Sequence, residues 1–353
     1  MLHFTVPHVA CIIPVVGSTE GLEATLLSVL ERRPADCEII VVANVAYDDP
    51  YGLQGEIQIL NAPSATGLVE CINLGIQAAQ SPIVHILATG FQASDGWLDR
   101  ITEYFDDPLV AAVAPAIYDI ATPHGLMATG VAYRSDSGRT LCRSAADASN
   151  SAQTPIGPLL QAAFYRKSVV DSLGGISAAV GDELADIDLV LTLRHAGWKI
   201  CEAPDSRVLA TSLAVAPPAS SMATSKFAER FYWRHADTSW TKRAIMHPIA
   251  VAIETIFAKP WWNAPARALG RLLAFCHFGH YAEYRQQLAA CYELRLAVET
   301  ESLAAQPPIL AFPKNAAGNI QRIDAGHEAV RQHPADRSRS TLKSSKRSYR
   351  RSK

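Results

Sequence analysis

The stretch VACIIPVVGS, Val9 to Ser18, holds eight apolar residues before polarity returns at Gly17 and Ser18. From Glu20 to Arg32 it is followed by leucines at helical spacing: Leu22, Leu26, Leu27 and Leu30. A run apolar on both faces, then a turn, then an amphipathic helix reads as the first unit of a parallel sheet. The unit recurs along the chain. Glu38–Val42 (EIIVV) and Ile57–Leu60 (IQIL) read as strands, Gly67–Ala79 as a helix, and Ile83–Leu87 (IVHIL) as a fourth strand. Helix Trp97–Phe105 and strand Val110–Ala114 continue the alternation. The pattern predicts an α/β domain: a mostly parallel central sheet with helices on both faces.

The remaining sequence bounds the architecture. With 353 residues, 49% of them hydrophobic, the chain can bury one large or two modest cores. It is not a disordered, collagen-like or small disulfide-stapled protein. Between Ile120 and Gln153 it turns rich in Ser, Ala, Asp and Gly, as expected of a long surface loop. Regular structure resumes with Leu159–Tyr165, helix Lys167–Leu173, a Gly174-Gly175 break, a helix from Glu183 to Ala196 and strand Lys199–Ala203. The expected organisation is an α/β domain over 1–215, a helical region over 216–306 and a Pro/Ser/Arg/Lys-rich disordered tail over 307–353.

Charge and cysteines narrow the setting. Residues 331–353 carry nine Lys/Arg and one Asp, which leaves the body, residues 1–330, at −10. An acidic body is no nucleic-acid footprint, so no specific nucleic-acid partner is expected. The seven cysteines are scattered and form no Cys-x-x-Cys pair, as suits buried thiols in a reducing compartment. The N-terminus lacks the basic start and clean apolar run of a signal peptide, and Ala244–Ala258 is too short to span a bilayer. The expectation is a cytoplasmic protein, with peripheral contact at the inner membrane face through the helical region, where Trp261-Trp262 stand, or through the basic tail.

In an open parallel sheet, ligands bind beyond the carboxyl ends of the strands, which here are Pro14–Thr19, Ala43–Asp49, Asn61–Thr66, Ala88–Ser94 and Pro115–Tyr118. The ordered series resembles the inverting family 2 glycosyltransferases. Ile12-Ile-Pro-Val resembles their opening strand and loop, and Gly67–Ala79, with Asn73-Leu-Gly75, their Asn-x-Gly helix. Leu87–Leu98, ending Asp-Gly-Trp-Leu, matches in length the segment that begins with their Asp-x-Asp motif. Arg166–Gly175 resembles their Arg-x7-Gly-Gly element, and Asp186–Ile200 their acceptor-side acidic helix. The match spans residues 8–210 and implies a nucleotide-sugar-binding, GT-A type fold that transfers a sugar with inversion to a glycan or lipid-linked acceptor.

By the resemblance, Asp186 is the general base, and Pro14, Val15, Asn44, Asn73, Ala88, Thr89 and Gly90 line the donor. Asp188, Arg194 and Arg166 are acceptor-side or supporting. The departures are as informative. Where the family holds Mn or Mg on Asp-x-Asp, this chain has Ala88-Thr89-Gly90, so a divalent cofactor and metal ligands are not expected. Asn44 is the polar residue left at the nucleobase position, with Asp48 and Asp49 just downstream. Without a metal, Arg166, Lys167 or Arg194 would have to neutralise the diphosphate. His277 and His280, three apart, offer two metal ligands without a third. Two functions stay open: a metal-independent transferase, and a pseudo-glycosyltransferase that keeps the fold as a binding or scaffold module.

Overall fold

The computed structural model describes residues 8–122, 125–134, 138–142, 155–213, 220–235, 240–257, 260–276 and 279–305. Strand β1 (Val9–Val15) is buried along its whole length, and its two-residue period divides it between two cores. Val9, Cys11, Ile13 and Val15 join Leu22, Leu26 and Val29 of α1 (Leu22–Arg32). Ala10 and Ile12 join Leu68, Val69, Ile72 and Ile76 of α2 (Leu68–Ala78). One helix on each face accounts for the apolar run that opened the sequence.

The sheet grows outward from β1. Its order is β3 (Gln58–Asn61), β2 (Cys37–Ala43), β1, β4 (Ile83–Ile86), β10 (Phe164–Arg166), β6 (Val110–Asp119), β11 (Lys199–Ala210) and β5 (Phe91–Ala93), with β7 (Leu126–Ala128) added to β6. The β3-β2-β1-β4 half is parallel, as is β6 with β11. Three-residue β10 runs antiparallel to both neighbours, and β5 and β7 are antiparallel too, so the far half is mixed. Strand β11 runs on past the expected Ala203, with a shift of register between Ala203 and Arg207 where Pro204 cannot donate to a ladder.

The segment expected as one long loop, 120–153, is partly ordered β structure. It contains β7 and a hairpin of β8 (Gly130–Arg134) and β9 (Gly138–Cys142), in which Val131 faces Leu141 and Tyr133 faces Arg139. The alternation in GVAYR and GRTLC is real but short, and the polar residues around it hid it. The Ser/Ala/Asp-rich stretch 143–154 lies outside the described residues.

Helix α2 lies close on β1 at Gly75, where a Cβ would clash with Ile12 Cγ2. Gly75→Ala gains helix propensity but forces a methyl into a filled core, and a net loss of about 1–2 kcal/mol is expected in urea unfolding. A variant as stable as the parent would mean that α2 stands off the sheet.

Buried His85 stacks on Phe164 at 3.8 Å, and its Nδ1 donates to the Ala163 carbonyl at 3.2 Å. Burial pushes its pKa down to about 3. As pH falls below 6.5 the unfolded chain takes a proton that the folded one refuses, so His85 removes about 2 kcal/mol of stability between pH 7 and pH 5. His85→Phe should flatten the stability profile by that amount in denaturation at the two pH values; parallel profiles would contradict this.

Beyond the sheet come α3 (Ile101–Phe105), α4 (Lys167–Ser172) and α5 (Ala185–His195), then α6 (Ser221–His235), α7 (Trp240–Phe257), α8 (Ala264–Phe275) and α9 (Gly279–Ala305). Buried Glu229 ties three of the last four together, bonding Trp233 Nε1 at 2.7 Å, His247 Nε2 at 2.8 Å and Arg271 Nη1 at 2.8 Å. The helices and the α/β part belong to one unit, residues 1–307.

Candidate functional site

The parallel strands β1, β2 and β4 end at Val15, Ala43 and Ile86, and the polar groups just beyond them form the edge where the resemblance puts the donor. Pro14 and Val15 are buried in the ladder opposite Val42 and Ala43. Asn44, 7% exposed, ties two loops: its Oδ1 accepts from Gly17 N at 2.9 Å, and its Nδ2 donates to Thr66 O at 2.8 Å. Downstream, Asp49 Oδ1 accepts from Leu53 N at 3.0 Å, while its Oδ2 is buried with no partner among the described residues.

Ala88-Thr89-Gly90 forms the turn from β4 into β5. Ala88 N donates to Gln161 O at 2.9 Å, and Gly90, at φ +88°, donates its N–H to Thr25 Oγ1 of α1 at 3.2 Å. A divalent cation on this turn would find one hydroxyl and backbone carbonyls but no carboxylate, a donor set that does not suit a hard cation on a diphosphate. The N-terminus of α2 is no phosphate cradle either. Its Gly67 N–H is held by Glu70, and the Leu68 and Val69 N–H groups donate to Asp182 at 3.1 and 3.2 Å.

The second half of the site stands at the head of α5. Asp186, 2% exposed, is gripped by Arg139 of β9 through a two-pronged contact, Nη2 to Oδ2 at 2.7 Å and Nε to Oδ1 and Oδ2 at 3.1 and 3.0 Å. The Ile187 N–H donates to Oδ1 at 2.8 Å. Nearby Tyr165 has a buried hydroxyl; burial pushes its pKa well up and Asp186 pushes it further. A carboxylate and a guanidinium, both nearly dry, therefore stand where the resemblance puts the base.

Residues 10–140 match the family described as Glycosyl transferase family 2. Over those residues the chain is similar to the family 2 glycosyltransferases. A relative called pre-mycofactocin glycosyltransferase, from two strains of Mycobacterium tuberculosis, is 30% identical over 112 residues, which is 32% of this chain and 24% of that protein. The match thus spans about a quarter of the relative's length. A solved structure described as GalNAc-T7 with UDP, GalNAc and Mn2+ aligns at a TM-score of 0.54 and 15% identity, over 78% of this chain and 58% of that one. That likeness is one of fold, the GT-A type expected from the sequence.

The other candidate residues are placed as follows. Asn73 does not face the donor edge; its amide closes a pair of 2.8 Å bonds with the backbone of Ile176, one given and one taken, and so clamps the Gly174-Gly175 turn. Asp188 binds side chains of α6 rather than a turn of its own: Arg234 Nη2 at 2.9 Å, Arg234 Nε at 2.8 Å and His235 Nε2 at 2.7 Å. It anchors the helical region to α5.

Arg166 pairs with Ile83 at the start of β4, the end of the sheet away from the site, and donates to the carbonyls of Val110, Phe105 and Asp107. Lys167 is paired with Asp171 at 2.7 Å, and Arg194 is exposed in the last turn of α5, two turns from Asp186. None of these three cations meets Asp186; Arg139 does. Its segment carries no motif, and the β8–β9 alternation was the one signal that could have found it. His277, half of the possible metal pair, lies outside the described residues.

Proposed function

We propose that this protein binds a nucleotide sugar beyond the ends of β1, β2 and β4 and transfers the sugar, with inversion, to a glycan or lipid-linked hydroxyl. The observation that carries this is the Arg139–Asp186 pair. A diphosphate entering the site competes for Arg139, which then supplies the positive charge that a metal supplies elsewhere in the family. Released from Arg139, Asp186 accepts the acceptor's proton as its oxygen attacks the anomeric carbon. The bond from that carbon to the diphosphate oxygen breaks, and the nucleoside diphosphate leaves against Arg139. Asp49, whose Oδ2 has no partner among the described residues, is the group offered to the base.

A thermal-shift screen with UDP-, GDP-, dTDP- and CMP-sugars tests the reading, because a ligand at a hundred times its Kd adds about 2.7 kcal/mol of stability. One responsive nucleotide followed by transfer supports it; no shift from folded protein overturns it. Binding without turnover would favour the second reading, a non-catalytic binding module, which the carboxylate-free turn at Ala88-Thr89-Gly90 supports.

The acceptor side includes a membrane surface. Helix α7 is apolar yet exposed: Ile245, Met246, Ile249 and Ile253 are 51–61% accessible, and Trp261 and Trp262 that follow are 71% and 66% accessible. Among the described residues no helix is long and apolar enough to cross a membrane, so this face lies on a bilayer rather than in it. Lys242, Arg243 and Lys259 of this stretch add charge suited to anionic lipid. Trp261→Ser with Trp262→Ser should weaken binding to phosphatidylserine vesicles by about tenfold or more. Equal cosedimentation of parent and variant would remove the membrane from the account.

A further inference from the structure

Arg139, Arg234 and Arg271 each meet a carboxylate, Asp186, Asp188 and Glu229 in turn. Arg230 does not. It is 8% exposed, its Nη1 donates to the Ala179 carbonyl at 3.1 Å, and its Nε is buried with no partner among the described residues. A guanidinium taken out of water without a counter-ion is costly, and proteins seldom keep one unless something else completes it.

The space beside it is built for that completion. A cavity of about 360 Å³ is lined by Arg230, Arg234, His280 and the backbone from Gly174 to Ala179. Gly174, at φ +72°, turns the chain there, and a Cβ on it would lie 3.6 Å from Gln287 Nε2 of the same lining. Arg234 Nη1 donates to Ser177 Oγ at 3.1 Å on the same wall, and the Ala179 N–H donates to that hydroxyl at 3.3 Å. The one acid on the lining, Glu283, is 63% exposed at the mouth and within 3.9 Å of His280. None of the donor-edge residues, and neither Asp186 nor Arg139, lines this cavity.

We propose that the cavity between the Gly174–Ala179 turn and helices α6 and α9 binds the phosphate group of a small phosphorylated ligand, with Arg230 as its principal partner. A guanidinium on the cavity wall with no carboxylate of its own suits charge-assisted bonds to phosphate oxygens. Ser177 and Arg234, the latter already paired with Asp188, complete the polar wall beside it. The cavity is larger than inorganic phosphate needs and takes a ligand of sugar-phosphate size.

The test is calorimetric titration of the whole chain with inorganic phosphate and with glucose 1-phosphate, at constant ionic strength against chloride, with acetate as the carboxylate arm. Saturable binding of both phosphates, tighter for glucose 1-phosphate, is expected, and Arg230→Met should abolish it while Arg230→Lys weakens it about tenfold or more. In phosphate-free buffer Arg230→Met should be at least as stable as the parent, with added phosphate stabilising only the parent. Absence of saturable binding by the parent overturns the proposal, as does binding that survives Arg230→Met or acetate binding as tightly as phosphate.

Discussion

Asp186→Asn is expected to slow the proposed sugar transfer by about a hundredfold to ten-thousandfold while the protein still folds and still binds the nucleotide sugar, because the proposed base is lost and an amide cannot take the proton. The amide keeps one acceptor for Arg139, so the head of α5 stays in place. Arg139→Met has a different signature. It removes the charge that faces the diphosphate, costing about 3–4 kcal/mol of barrier, or a hundredfold to a thousandfold. It also weakens donor binding, which Asp186→Asn does not. Measuring kcat and donor affinity for both variants separates the two roles. If Arg139→Met transfers faster than the parent, the guanidinium is a lock on the base and not its partner, and the proposed mechanism fails.

The second large effect lies where the helical region joins the α/β part. Asp188 and Arg234 are 3% and 5% accessible at their side chains, and His235 is 5% accessible against the same carboxylate. Asp188→Ala strands two buried nitrogen bases, and breaking such a pair from one side costs about 3–5 kcal/mol. Arg234→Met on the Asp188→Ala background should return part of that loss, because it removes the uncompensated charge. Chemical denaturation of the single and double variants measures both. Additive losses would mean that the two side chains do not depend on each other and that α6 is held by its apolar contacts alone.

Much of the fold was legible because burial on two faces leaves an unbroken apolar run, and β1, β2 and β4 are such runs. The half of the sheet beyond β4 was harder to read. β10 is three residues long and its antiparallel direction is set by partners on either side, β4 and β6, which no local pattern reports. Asp186 was legible through its place in an acidic helix. Arg139 was not, because its partner is 47 residues away and its own segment is polar and short. Asn73 shows the opposite failure. A motif gave it a donor-side place, whereas its amide is spent on Ile176, 103 residues later. Cations close to the motif in sequence, Arg166 and Arg194, stand elsewhere in space, so proximity along the chain was a poor guide to charge in the site.

The most direct test of the central claim is donor affinity measured in EDTA for the parent and for Arg139→Met, using the nucleotide sugar found by the screen. The account predicts that the parent binds equally well with and without chelator, and that Arg139→Met loses about tenfold to a hundredfold, the range of one charge-assisted contact to a diphosphate. Binding that disappears in EDTA, or that is unchanged in Arg139→Met, would contradict it.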